Sequence, residues 1–100
     1  MLTARTLEVF DLGGKRIVAC EMAGQDPMKF LDRDFVFYDA NGRFAGRIRI
    51  DGVSTASDAK RRVCDFSYSG DEILSAQLGG RSVIQEELPR SPDGNPGEQR

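Results

Sequence analysis

A turn signature is written three times along this chain, as Asp11-Leu12-Gly13-Gly14-Lys15, Asp39-Ala40-Asn41-Gly42-Arg43 and Gln77-Leu78-Gly79-Gly80-Arg81, each between short β-prone runs. Gly-Gly and Asn-Gly supply the two positive φ angles of a two-residue type I′ turn, whose twist matches the strands it joins. The signature therefore specifies β-hairpins. Its spacings of 28 and then 38 residues differ, so it is an echo of one turn chemistry and not the unit of a repeat array.

The flanking runs predict how each hairpin is filled. Residues 5–12 and 15–23 form the first, with Leu12 opposite Lys15 and Asp11 opposite Arg16. Leu7, Val9, Val18 and Cys20 then share one face and Phe10, Ile17 and Ala19 the other, so this hairpin is expected to be covered on both sides. In the second hairpin, residues 35–40 and 43–50, a type I′ turn at Asn41-Gly42 sets Asp39 opposite Phe44, Tyr38 opposite Ala45, Phe37 opposite Gly46 and Phe35 opposite Ile48. Its core face carries Phe35, Phe37, Phe44, Ile48 and Ile50. Its other face carries Val36, Tyr38, Arg43, Arg47 and Arg49. Between the hairpins, Asp26-Pro27 reads as an N-cap followed by proline at the first helical position. A single helical turn there would bring Met28, Phe30 and Leu31 to one end of a sheet or barrel.

Residues 51–61 open on an Asp-Gly turn signal and continue in small polar residues, which predicts a surface loop with a short helix capped at Ser57. Strands are expected again at 62–68, 72–78 and 81–88, the last two joined at Gly79-Gly80. The expected fold is all-β, with at most one or two short helical turns. It is an antiparallel meander of about seven strands closed as a small barrel or folded as a two-layer sandwich. With 39% hydrophobic residues the chain supports one modest core, a single β domain over residues 1–88. Residues 89–100 hold Pro89, Pro92 and Pro96 and no large apolar side chain, and are expected to be a disordered tail.

Charge and residue types remove several function classes. Net charge is −2, which exerts no global pull toward nucleic acid or membrane. No window has the length and apolarity of a membrane span or signal peptide, and a cytoplasmic protein with no membrane partner is expected. The chain has no histidine, so neither a Ser-His-Asp or Cys-His nucleophile nor a His-based metal site can be assembled. Cys20 and Cys64 lie in apolar runs without Cys-x-x-Cys spacing and read as buried thiols, with a disulfide between them as the alternative. Asp32, Asp34, Asp39, Asp71 and Glu72 fall at turns and strand ends without calcium-loop spacing, where carboxylates are ordinarily solvated. No enzyme activity, metal or cofactor is expected.

One segment departs from the average. Residues 43–62 hold Arg43, Arg47, Arg49, Lys60, Arg61 and Arg62 against Asp51 and Asp58, a local charge of +4. Guanidinium forks bind phosphate or carboxylate bidentately, and Tyr38 among them could stack a base. The competing expectation is a solvated strand face whose arginines pair with Glu86, Glu87 or Asp65. Arg43-Phe44-Ala45-Gly46-Arg47 has the form R-x-x-x-R and Asp65-Phe66-Ser67-Tyr68-Ser69-Gly70 the form D-x-S-x-x-G. Together they resemble the signatures of PilZ domains, β-barrels that bind cyclic di-GMP, although here the arginines begin a hairpin strand rather than precede the barrel. Tyr38-Asp39-Ala40-Asn41-Gly42-Arg43 is similar to the core of YD or Rhs repeats, one unit where that family needs many, and carries no function over.

The candidate binding residues are therefore Tyr38, Arg43, Arg47, Arg49, Arg61 and Arg62. The function expected is a small non-enzymatic protein-binding module, an inhibitor, immunity or accessory protein, acting through a strand edge or the Arg43/Arg47/Arg49 face. Its protein partner is unidentified, and a homodimer remains open. The alternative is a nucleotide or nucleic-acid binder using the same arginines, including cyclic di-GMP as the PilZ resemblance implies.

Overall fold

Gly13 and Gly14 take φ of +58° and +83° and join β1 (Thr3–Leu12) to β2 (Lys15–Glu21), in a computed structural model that describes residues 1–54 and 62–88. The register is the expected one, with Leu12 opposite Lys15 and Asp11 opposite Arg16. A bulge between Thr6 and Glu8 then breaks the alternation. Leu7 is left exposed, and Thr6 turns inward opposite Cys20. The cost of burying Thr6 is met by hydrogen bonds: its Oγ1 donates to Ser82 Oγ at 2.7 Å, and Ser82 Oγ donates back to Thr6 O at 3.2 Å. β2 is buried on both faces, with Val18 and Cys20 in the core and Ile17 and Ala19 on the other side.

The second hairpin joins β3 (Asp34–Tyr38) to β4 (Phe44–Val53), but not by a two-residue turn. Only Gly42 has a positive φ, +80°. The Asp39 carboxylate accepts from Asn41 N at 2.9 Å and Arg43 N at 3.0 Å, while Gly42 N donates to Asp39 O and Asp39 N to Arg43 O. This side-chain turn holds Asn41 at ordinary φ and lengthens the loop by one residue. A register shift absorbs the extra residue. Phe35, Val36 and Phe37 oppose Ile48, Arg47 and Gly46 as expected, but Tyr38 opposes Phe44 instead of Ala45. Phe44 is consequently 54% exposed and is not a core residue.

β4 runs through the Asp51-Gly52 signal to Val53, so these residues are strand rather than the start of a loop. A register shift between Ile50 and Gly52 brings Gly52 against β5 (Val63–Gly70), where any side chain would meet Ser67 Oγ. Residues 55–61 of the expected loop, with Ser57 and Arg61, lie outside the described residues, as does the tail expected over 89–100.

The third turn signature makes no hairpin. Gly79 and Gly80 do have positive φ, yet residues 72–78 leave the sheet and contain only a 3-10 turn, Ser75–Gln77. Ile73 is buried and Leu78 packs against the core. Five residues apart, these two would face opposite sides of a strand, so a crossing loop buries both where a strand could not. The loop is tied to the β3–β4 turn by Ala40 N donating to Gln77 O at 2.8 Å and Arg81 N to Ala40 O at 3.0 Å. Adding β6 (Val83–Glu86), the described residues form six strands rather than seven.

These strands close an antiparallel barrel in the order β1-β2-β5-β4-β3-β6. β3, β4 and β5 follow one another as in a meander, β5 returns to pair with β2, and β6 closes the ring between β3 and β1. The expected helical turn is the 3-10 turn Pro27–Phe30, with Asp26 Oδ1 accepting from Met28 N at 3.0 Å. It delivers the fully buried Phe30 to the core, stacked on Phe35 at 5.3 Å and Phe66 at 5.2 Å between centroids. Met28, expected beside it, is exposed. Cys20 and Cys64 are direct cross-strand partners, both buried and both free thiols, and burial pushes each thiol pKa upward. Glu86 is also buried. It accepts from Leu2 N at 3.1 Å and Arg33 at 2.6 Å, and these hydrogen bonds hold its carboxyl below the usual range.

Candidate interaction face on β3 and β4

Strand alternation sends Phe35 and Phe37 inward from β3 and leaves Val36 and Tyr38 on the outside; β4 turns Ile48 and Ile50 in and Arg47 and Arg49 out. The register sets Val36 against Arg47 and Tyr38 against Phe44, with Gln85 and Val83 of β6 continuing the two rows. Phe44 therefore joins the basic strip it was expected to oppose. The Arg47 guanidinium lies 5.1 Å from the centroid of the Phe44 ring, an exposed cation–π contact worth about 0.5–1 kcal/mol. Arg47 Nε also donates to Glu87 Oε2 at 3.1 Å.

The remaining arginines divide. Arg49 pairs with Asp34 at 3.1 Å, so two of the three strand arginines are held by carboxylates of their own sheet, Glu87 as expected and Asp34 in place of Asp65. Such exposed pairs are worth at most about 1 kcal/mol and yield readily to a better partner. Arg43 has no ion pair among the described residues. Arg81, which sequence reasoning did not select, lies over the β3–β4 turn, its Cδ 3.5 Å from where a Cβ of residue 42 would stand.

Arg62 does not belong to this face. It sits before β5 with its carbonyl accepting from Met22 N, and β5 runs antiparallel to β4 with Val53 opposite Phe66. That register puts Arg62 and Arg43 beyond opposite ends of the β4–β5 ladder, which runs from Ile48 opposite Gly70 to Val53 opposite Phe66. Arg61 lies outside the described residues. Of the second half of the cyclic di-GMP motif only Gly70 comes against Arg47, and Asp65 and Ser67 do not. Asp65 is level with Ser54, whose N donates to its carbonyl, and Ser67 Oγ donates to Asp51. Arg47 stands level with Asp71, whose Oδ2 accepts from Arg47 N at 2.9 Å, about 20 Å along the strand.

Among the described residues no group of three or more His, Cys, Asp or Glu is placed to hold a metal ion, and no helix is long and apolar enough to cross a membrane. No family model, curated protein or solved structure matches the chain.

Proposed function

We propose that the chain is a small non-enzymatic protein-binding module, of the inhibitor, immunity or accessory kind, whose contact surface is the β3–β4 face built on Phe44, Arg47, Tyr38 and Arg43. The observation that supports it is the exposed Phe44 ring held under Arg47, on a sheet surface fixed by backbone pairing. Arginine and aromatic side chains at low conformational cost are the composition of interface hot spots. Arg43 adds a cation with no ion pair among the described residues, which suits a partner presenting Asp or Glu. Buried free thiols agree with action in the cytoplasm.

The test compares immobilised wild-type chain, the double variant Phe44→Ala/Arg47→Glu and the control Lys29→Glu in an extract of the source cell. A partner kept by the wild type and the control should fall about tenfold or more on the double variant. Equal recovery by all three would sink this surface. A second reading, nucleotide or nucleic acid, draws on Arg43 beside two aromatic rings on which a base could stack. In that case affinity for a single-stranded oligonucleotide falls steeply with salt and weakens in Arg47→Ala.

A further inference from the structure

β1 is longer than the strand that covers it. β6 pairs with β1 only from Thr3 to Arg5, and one further bond runs from Thr6 N to Ser82 O at 3.1 Å. Residues 79–81 lead away toward Ala40, while β1 continues to Leu12 paired on its β2 side alone. The two-residue turn makes Leu12 and Lys15 a hydrogen-bonded pair. By alternation Phe10 and Glu8 also bond to β2, and Val9 and Asp11 direct their N–H and C=O outward. Among the described residues nothing meets those groups.

Beside this edge is a cleft of about 160 Å³, walled by Val9, Phe10 and Asp11 on one side and Glu72 and Leu74 of the crossing loop on the other, with Tyr68 also lining it. It is smaller than the roughly 300–1,000 Å³ of small-molecule sites and has the scale of a single side chain. Tyr68 is 6% exposed; its hydroxyl accepts from Ile73 N at 3.1 Å and keeps its own proton to donate. Asp11 and Glu72 at the cleft and Glu8 along the same strand are acidic. Arg16, the cation among the lining residues, stands opposite Asp11 and donates to Gly70 O at 2.8 Å, so Asp11, Glu72 and Arg16 together leave the cleft one negative charge. Leu7, Phe10, Leu12 and Leu74 add exposed apolar surface along the edge.

We propose that this edge receives an extended segment of a partner protein, which adds a strand to β1 through the backbone of Val9 and Asp11 and directs a Lys or Arg toward Asp11 and Glu72. Open edges bind by main-chain pairing, and pockets for alternate side chains select the sequence. A second copy of the chain is a poorer occupant, because pairing one β1 edge with another doubles the carboxylates at the cleft. The inference rests on the protein-binding reading but uses a surface separate from the β3–β4 face.

The full chain is titrated with the capped peptides Lys-Val-Lys-Val-Lys-Val and Glu-Val-Glu-Val-Glu-Val while amide hydrogen exchange is followed by NMR. The basic peptide should slow exchange at Val9 and Asp11 by about tenfold or more, and the acidic one should not. Val9→Pro removes an outward donor without taking a bond from β2, and should abolish protection at Asp11. Glu72→Lys should weaken the basic peptide about tenfold, and gives an independent readout if the proline variant unfolds. Phe44→Ala/Arg47→Glu should bind the peptide as wild type does, so loss of the β3–β4 surface and loss of the edge are read separately. The proposal is overturned by absent protection, by equal protection from the two peptides, or by a dimer that Val9→Pro dissociates.

Discussion

Phe30→Ala should lower stability by about 3–5 kcal/mol, a large part of the roughly 5–15 kcal/mol that holds a small domain together. Phe30 comes from a 3-10 turn, not from a strand, yet it is fully buried and stacked against Phe35 of β3 and Phe66 of β5. Truncation leaves a void between rings held by two different strands, which neither can fill without breaking its own pairing. At about 4–8 °C per kcal/mol for a domain of this size, the midpoint should fall by more than about 12 °C. Met28→Ala on the same turn removes an exposed side chain and should stay within about 0.5 kcal/mol. Urea unfolding followed by circular dichroism measures both. Equal, small losses would mean that the turn does not fill the barrel.

Gly70→Ala should be nearly as damaging, with a loss of about 2 kcal/mol or more. Gly70 has φ +103°, and an added Cβ would stand 2.7 Å from Arg47 O and 3.2 Å from Ile48 Cα. Both are backbone atoms of β4. They cannot retreat freely, because Asp71 N donates to Arg47 O and Arg47 N to Asp71 Oδ2, each at 2.9 Å. Gly13→Ala separates the two causes of the loss: its φ is also positive, but nothing lies within 4 Å of its Cβ, so only conformational strain of about 1–2 kcal/mol remains. If both alanines cost the same in urea unfolding, the close approach of β5 to β4 is not a constraint.

Elements set by neighbouring residues were legible in the sequence. The first turn and its register follow from Gly13-Gly14, the 3-10 turn from Asp26-Pro27, and the inward set Phe35, Phe37, Ile48 and Ile50 from period-two alternation. Elements decided by a side chain or by distant packing were not. The Asp39 carboxylate competes for loop amides and converts an Asn-Gly turn into a longer loop, and one residue of slip moves Phe44 from the core to the surface. At Gly79-Gly80 the turn chemistry is present, but Ile73 and Leu78 are buried by a loop crossing to Ala40, which no local pattern announces. The candidate site suffered in the same way. Proximity in sequence drew Arg62 into a patch that the antiparallel register of β4 and β5 takes apart, whereas the Asp39-Ala40-Asn41-Gly42 run held the signal that could have placed Phe44 beside Arg47.

The face proposed for binding exists only if Tyr38 opposes Phe44. Cross-strand nuclear Overhauser effects in the free protein test that register most directly. The expected result is main-chain contact between Tyr38 and Phe44, with the Phe44 ring protons near Arg47 and remote from Phe35 and Ile48. Main-chain contact between Tyr38 and Ala45, with the Phe44 ring protons against Phe35 and Ile48, would contradict it.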